Sequence, residues 1–182
     1  MNYFSIQPKS ENIDFYIHPI NKDLDINSIL KDNGQLDNIS IDFKFNKSID
    51  KPSEVWIDYL PNNFSWPVFS EKIKFTIDSF VENLKWMELN VCMGEEKKKY
   101  FVPILKSDYN ILDKNKTLFV NGTDQIIKAV FSVDSIFDEH IFRTPSKSRI
   151  ISSDIYLSNK VIGMLKKKDL IGVKFKKLTR IS

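Results

Sequence analysis

The segment WMELNVCMGEEKKKYFVPIL, Trp86–Leu105, decides the fold class. Two strand-like runs, WMELNVCM and KKKYFVPIL, flank the short turn GEE, in which Gly94 can adopt a positive φ without steric cost. Runs of this length on either side of a glycine-containing turn predict a β-hairpin. Because the strands of a hairpin run antiparallel, we expect an antiparallel sheet at the centre of the protein.

Further strand signals lie on both sides of this hairpin. In NISIDFKFN, residues 38–46, Ile39, Ile41, Phe43 and Phe45 alternate with polar residues, which predicts a strand with one buried and one wet face. The Asn121–Gly122 pair within residues 117–133 predicts a second hairpin. The remaining strand candidates are MNYFSIQ (1–7), EVWIDYL (54–60), HIFRTP (140–145), RIIS (149–152) and GVKFKKL (172–178).

Two stretches show helical spacing. Ser70 is a good N-cap, Glu71 follows it, and apolar residues recur with helical spacing to Leu84, which predicts a helix over about 70–84. A second helix is predicted over about 154–168, with Ser153 as its cap and Asp154 in its first turn. Since strands and helices do not alternate regularly, the predicted class is α+β, mainly an antiparallel sheet with two principal helices.

The 182 residues predict one α+β domain spanning 1–182, in which residues 1–60 are a candidate strand-rich subregion of their own. The single cysteine, Cys92, excludes an intramolecular disulfide. The first residues lack the features of a signal peptide, and no apolar run reaches the ~20 residues that a membrane span requires. We therefore expect a cytoplasmic protein with no membrane partner.

Charge is distributed unevenly along the chain. From Lys160 onward there are eight Lys or Arg against the single Asp169, whereas the first sixty residues hold ten Asp or Glu against six Lys. A basic C-terminal face is compatible with nucleic-acid binding. Solvated lysines on a helix and on an edge strand are the competing and favoured explanation, since edge lysines also prevent strand-to-strand aggregation.

The scarce residue types argue against the common catalytic sites. One cysteine and two histidines exclude the usual zinc sites, and Cys92 in an apolar strand is interpreted as a small buried residue. Neither the dinucleotide-binding nor the P-loop glycine pattern is present, nor is the G-x-S-x-G pattern of serine hydrolases. We predict no catalytic residue, no metal ligand and no cofactor, and we expect the protein not to be an enzyme.

The segment EHIFRTPSKSRIISSDIY, residues 139–156, offers one reactive alternative. His140 could act as a base oriented by Glu139 or Asp154, with Arg143 as an anion ligand, in a hydrolase or transferase. The competing interpretation is structural: Arg143 pairs with an acid, and Ser153 and Asp154 begin a helix. We favour the second, which makes the segment a strand, a turn, a strand and a helix cap.

A family resemblance supports this interpretation. Residues 140–178 carry the pattern IFR-x-P, a short strand, S-D opening a helix, and G-h-x-F in a closing strand (h, apolar). WPVFSEKIKFTIDSF, residues 66–80, carries a second pattern in which Ser70 caps a helix. Together these stretches, about a third of the chain, resemble a family of immunity proteins from bacterial polymorphic-toxin systems that was long labelled a domain of unknown function. The positions that match are Ile141, Phe142, Arg143, Pro145, Ser153, Asp154, Gly172 and Phe175.

The resemblance implies a non-enzymatic cytoplasmic protein that binds and neutralises a cognate toxin. An acidic N-terminal patch would suit a basic toxin, because complementary charge speeds association. The candidate partner-binding residues are Trp56, Asp58, Tyr59 and Trp66, with core packing as the competing role of the three aromatic residues. The alternative function is a nucleic-acid-binding or regulatory module that uses the basic C-terminal face.

Overall fold

The computed structural model describes residues 2–9, 16–21, 40–45 and 56–182. Its strands are β1 (Tyr3–Pro8), β2 (Ile17–Pro19), β3 (Ser40–Phe45), β4 (Tyr59–Leu60), β5 (Val68–Phe69), β6 (Lys85–Met93), β7 (Glu96–Ile104), β8 (Leu118–Phe119), β9 (Ile126–Lys128), β10 (Ile141–Arg143), β11 (Ile155–Ser158) and β12 (Val173–Lys177). Its helices are α1 (Glu71–Asp78), α2 (Val133–Ile136) and α3 (Asn159–Leu165), and Tyr109–Ile111 forms a turn of 3₁₀ helix. Strands predominate and most pair antiparallel, so the predicted α+β class is confirmed.

Six strands form a curved sheet in the order β2-β3-β6-β7-β5-β4. All neighbours are antiparallel except β3 and β6, which are parallel. The two edges of the sheet, β2 and β4, come together. The Ile17 N–H in β2 donates to the carbonyl of Pro61 at 2.9 Å, and Ile17 forms a β-bridge with Asn62, just beyond β4. The enclosed core includes Ile41, Phe43, Leu60, Val68, Met87, Leu89, Val91 and Val102.

The hairpin β6–β7 confirms the prediction from the 86–105 segment. Gly94 in its turn has a φ of +59°, the left-handed conformation that glycine adopts readily. Alternate residues of β6 point into the core, and the opposite side is wet: Lys99 pairs with Glu88 at 2.8 Å. Cys92 lies on that side, half-buried between its cross-strand neighbours Lys44 and Lys97, so its predicted place in the core is wrong.

A second sheet of four antiparallel strands has the order β10-β11-β1-β12. Helices α1 and α3 contact each other and contribute to a core shared with this sheet and with β4 and β5. This core includes Ile6, Tyr59, Phe69, Ile73, Ile77, Leu157, Val161, Ile162, Leu165 and Val173. Strands from the N-terminal sixty residues enter both sheets, since β1 lies between β11 and β12 while β3 pairs with β6.

A third cluster of aromatic side chains lies beside the hairpin β8–β9. Phe131 contacts Phe142 and Tyr156 with ring centroids 5.1 and 5.0 Å apart, and Tyr3 meets Phe142 at 5.2 Å. The hairpin itself confirms the second turn prediction, with a φ of +72° at Gly122. Phe119 and Ile126 pack against the aromatic cluster, which fixes the hairpin on the body of the protein.

Helix α1 ends at Asp78 and not near residue 84, so its predicted end is wrong. Ser79 donates its hydroxyl hydrogen to the carbonyl of Thr76 at 2.7 Å, and Asn83 turns the chain with a φ of +60°. The residues after the helix nevertheless pack against the same core, which is why the apolar spacing looked continuous. These residues are Phe80, Val81 and Leu84.

The predicted helix over 154–168 is also wrong in its first part. Residues 155–158 form β11, which pairs with β10 on one side and β1 on the other, with Ile155 and Leu157 buried. Helix α3 starts only afterwards, and Ser158, not Ser153, caps it by accepting a hydrogen bond from the Val161 N–H at 3.5 Å. Pairing on both edges outweighs the local helical spacing here.

The RIIS segment, 149–152, is a bend rather than the predicted strand. Its Ile151 is buried in the core of the six-stranded sheet. The segment therefore contributes a side chain to this core without forming a strand of the sheet. The strands predicted at the N-terminus, at 140–145 and at 172–178 are confirmed by β1, β10 and β12.

Two predicted strands lie only partly within the described residues. The alternating stretch 38–46 is confirmed over β3, in which Ile41, Phe43 and Phe45 are buried. Ile39 lies outside the residues that the structure describes. The stretch 54–60 is seen from residue 56 onward and forms β4 at its end. Within the described part of the chain, none of the helices combines the length and the apolar character needed to cross a bilayer.

Candidate functional site

A concave pocket of about 540 Å³ lies between the hairpin β8–β9 and the loop that follows β10. The lining residues are Tyr109, Asp124, Gln125, Ile126, Thr144, Pro145, Ser146, Lys147, Ser148, Arg149, Ser152 and Asp154. Eight of them belong to the segment 139–156, for which the sequence indicated a structural role. Polar groups dominate the lining, so the site is suited to hydrogen-bonded and ionic recognition.

The loop wall of the pocket, residues 144–149, is held at several points. The Ser107 hydroxyl donates to the Ser146 carbonyl at 3.0 Å and accepts from the Ser146 N–H at 2.8 Å. Ser146 in turn accepts from the Arg149 N–H at 3.2 Å, and the Thr144 N–H donates to the Asp154 carbonyl at 3.0 Å. Because these bonds order the loop in the free protein, a partner would not have to order it on binding.

Arg143 lies beneath this loop and is only 3% exposed. Its Nε donates to the Leu105 carbonyl and its Nη1 to the Arg149 carbonyl, each at 3.0 Å. The acidic partner that we predicted for Arg143 is therefore wrong: both hydrogen bonds go to backbone carbonyls. Burial lowers the pKa of the guanidinium from its usual value, but an arginine remains cationic at neutral pH. Arg143 thus ties the end of β7 to the pocket loop.

The opposite wall is the turn of the β8–β9 hairpin. The Val120 N–H donates to the Gln125 carbonyl at 2.8 Å. The N–H and the hydroxyl of Thr123 both donate to the Val120 carbonyl, and the same hydroxyl accepts from the Gln125 N–H. Across the mouth, the Lys147 ammonium donates to the Asp124 carboxylate, and this hydrogen bond raises the pKa of Lys147. The two walls are therefore joined by one exposed ion pair.

Two further charges in the pocket are left without a partner. Among the described residues, the Arg149 guanidinium and the Asp154 carboxylate form no ion pair and no hydrogen bond. Both residues are exposed. Burial, and to a lesser degree the Asp154 charge, raises the pKa of the neighbouring Tyr156 hydroxyl. A ligand of this pocket therefore meets one free cation and one free anion on a fixed frame.

The lining contains neither histidine nor cysteine, and within the described ranges no group of three His, Cys, Asp or Glu side chains could hold a metal ion. The reactive alternative for 139–156 required His140, Arg143 and Asp154 to act together. His140 Nδ1 instead lies 3.0 Å from the hydroxyl of the fully buried Ser158. Arg143 donates to backbone carbonyls, and Asp154 lines the pocket. The pocket offers hydrogen-bonding and charged groups for recognition.

Among the four predicted partner-binding residues, only Trp56 is half-buried; the other three are buried. Its Nε1 donates to the Glu96 carboxylate at 2.7 Å, and its ring stacks on Tyr100 with centroids 6.1 Å apart. The Lys98 ammonium lies 4.6 Å from the ring centroid, in the geometry of a cation–π contact. The side chain of Trp56 thus already has three partners within its own protein.

Asp58, Tyr59 and Trp66 are buried, with 4%, 2% and 6% exposure. The Asp58 carboxylate accepts from the Ser70 hydroxyl at 2.5 Å and from the Ile171 N–H at 2.7 Å, which joins the start of α1 to the segment before β12. Tyr59 and Trp66 pack in the two main cores. Core packing, the competing explanation, accounts for the positions of these three residues.

The buried tyrosines make stability sensitive to alkaline pH. Burial raises the pKa of Tyr59 and of Tyr100, each well above the usual value of 10. Since the unfolded chain loses these phenolic protons first, the free energy of unfolding should hold up to about pH 10 and then fall by about 1.4 kcal/mol per pH unit for each tyrosine. Urea titrations between pH 8 and pH 11 measure this fall.

The matched control for this pH dependence is Tyr59→Phe, which keeps the ring and removes the ionisable hydroxyl. The variant should lose stability less steeply above pH 10 than the parent protein. An equal slope in the two proteins would show that the Tyr59 hydroxyl does not contribute to the alkaline loss.

The residues of the family pattern occupy structural positions. Phe142 stacks on Tyr156 at 5.2 Å, and Gly172 has a φ of +75° while its carbonyl accepts from Lys9. Ser70 precedes α1, but its hydroxyl donates to Asp58 instead of accepting from the helix. Ser153 lies in the bend before β11. Two positions of the pattern, Pro145 and Asp154, also line the pocket.

Sequence reasoning missed the residues that the pocket brings together from distant segments. Tyr109 and Asp124 are far in sequence from Arg149, and no motif relates them. The Asn121–Gly122 turn predicted the hairpin but not its position opposite the 144–149 loop. Comparison with protein-family models gave no match, and no curated protein matched the sequence significantly.

Proposed function

We propose that this chain is an immunity protein that binds a cognate bacterial toxin and neutralises it without catalysis. The observation that carries the proposal is the pre-ordered polar pocket beside Arg143, which presents two unpaired charges on a loop from the immunity-like segment. The resemblance of residues 140–178 and 66–80 to that family supports the same function. Binding would not require the groups of a catalytic or metal centre.

The rigidity of the pocket fits a protein that must bind tightly and quickly. Hydrogen bonds from Ser107 and Arg143 hold the loop wall from behind, and the Lys147–Asp124 ion pair joins it to the hairpin wall. A surface ordered before contact loses little conformational entropy on association. Free charges at such a site also accelerate encounter with a complementary surface.

Co-expression with the product of the neighbouring upstream gene tests this function. We expect that product to stop growth when it is expressed alone, and we expect this chain to restore growth and to co-purify with it. A catalytically inactive form of the same product should still co-purify, because neutralisation by binding does not depend on toxin activity. A neighbour that is toxic but neither bound nor neutralised would rule the function out.

A nucleic-acid-binding module on the C-terminal face is the second candidate. Lys174, Lys176 and Lys177 are all exposed on β12, the edge strand of the four-stranded sheet, which supports it. Phosphate contacts release counterions, so binding of this kind would weaken steeply as salt increases. Retention on double-stranded DNA at 50 mM salt that is lost at 200 mM would favour this candidate.

A further inference from the structure

We infer that the pocket is the toxin-contacting surface, and that it receives an acidic side chain of the toxin at Arg149 and a basic one at Asp154. This inference rests on the proposed function and specifies where on the protein it takes place. It moves the interface away from Trp56, Asp58, Tyr59 and Trp66, of which three are buried and the fourth, half-buried, already contacts Glu96, Lys98 and Tyr100.

The first support is the state of the four charged side chains that line the pocket. Lys147 and Asp124 satisfy each other at the mouth, whereas Arg149 and Asp154 have no partner among the described residues. They lie in the same concavity without pairing. A partner segment with one acidic and one basic side chain would complete both, which makes opposite charge on one short segment the expected feature of the toxin surface.

The second support is the fixed origin of the Arg149 side chain. Its N–H donates to Ser146 and its carbonyl accepts from the buried Arg143, so the backbone at this position is bonded on both sides. An arginine held in this way can present its planar guanidinium for a bidentate bond to a carboxylate. Asp154 is anchored similarly, because its carbonyl accepts from Thr144 and its N–H donates to the hydroxyl of the buried Ser152.

The third support is enclosure. Tyr109, Ser148 and Thr144 contribute hydroxyl groups to the same lining as the two charges, and the volume of about 540 Å³ accommodates a few side chains. Charge pairs that form in a partly enclosed site lose water and gain strength relative to pairs on an open surface. The lysines of β12, by contrast, are exposed on an open strand.

The test uses two charge reversals in the full-length chain, Arg149→Glu and Asp154→Lys. Each should weaken binding of the purified, catalytically inactive toxin by about 30-fold or more, because the reversed charge would face a like charge of the toxin across the interface. The matched controls are Lys176→Glu and Glu95→Lys, which reverse one exposed charge elsewhere and should change the Kd by less than about 3-fold. Isothermal titration calorimetry gives the Kd, and thermal unfolding verifies that each variant is folded.

The outcomes separate this inference from the proposed function. Loss of affinity in both pocket variants, with both controls unaffected, supports the pocket as the interface. Tight binding by the parent chain and by both folded pocket variants would overturn the inference and leave the immunity function standing. Loss of affinity in Lys176→Glu alone would move the interface to β12 and overturn it as well. Absence of binding by the parent chain would remove the function and the inference together.

Discussion

Leu89→Ala should lower the free energy of unfolding by about 2–5 kcal/mol. Leu89 is fully buried at the middle of β6, opposite Ile41 on β3 and Tyr100 on β7. Truncation loses the transfer free energy of three carbon atoms and leaves a cavity that neighbours bonded into two strands cannot easily fill. Urea unfolding followed by tryptophan fluorescence measures the loss.

Leu118→Ala is the matched control, since it removes the same atoms from a leucine that is 54% exposed. We expect its unfolding free energy to stay within about 0.5 kcal/mol of the parent value. Similar losses in the two variants would contradict the placement of Leu89 at the centre of the enclosed core.

The parts of the fold that the sequence predicted correctly are those set by local signals. Gly94 and Gly122 both adopt the left-handed conformation that their turns require, and both hairpins form where these glycines indicated. The alternation in β3 likewise matches its buried face. In these segments the turn conformation depends on backbone sterics and the buried face depends on the side-chain period. Both act over a few residues, so the local sequence is enough to predict them.

The errors come from segments whose structure depends on distant partners. Residues 155–158 carry helical spacing with the residues after them, yet they form a strand because β10 and β1 offer hydrogen bonds on both sides. Similarly, the apolar residues after Asp78 pack with α1 without belonging to it. Strand pairing decided the first case against local preference, whereas in the second case packing against the same core reproduced helical spacing beyond the end of the helix.

The pocket could not be predicted for the same physical reason. The Lys147–Asp124 ion pair joins its loop wall to its hairpin wall, and the Ser107–Ser146 hydrogen bonds hold the loop from behind. Each of these contacts links segments that are far apart in sequence. The sequence shows that residues 139–156 are rich in polar side chains, but it does not distinguish a polar loop from one wall of a binding pocket. Their arrangement opposite the hairpin turn separates the two interpretations.

Arg143→Ala should lower the free energy of unfolding by about 2–4 kcal/mol and should also loosen the pocket. The substitution leaves the carbonyls of Leu105 and Arg149 without their buried donors, and it opens a cavity beneath the loop. Arg143→Lys should fall between this variant and the parent, because one ammonium group cannot reach two carbonyls with the geometry of a guanidinium fork. The control is Arg180→Ala, an exposed arginine whose removal should cost about 0.5 kcal/mol or less.

Hydrogen exchange distinguishes the loosening from a general loss of stability. If Arg143 holds the loop, the amides of Ser146 and Arg149 should exchange faster in Arg143→Ala by more than the change in global stability explains, while amides in β6 should follow the global change alone. If the proposed toxin binds at the pocket, its affinity should fall with the loop protection, although Arg143 itself is buried. Uniform acceleration across β6 and the loop would mean that Arg143 supports the fold as a whole and does not specifically order the pocket.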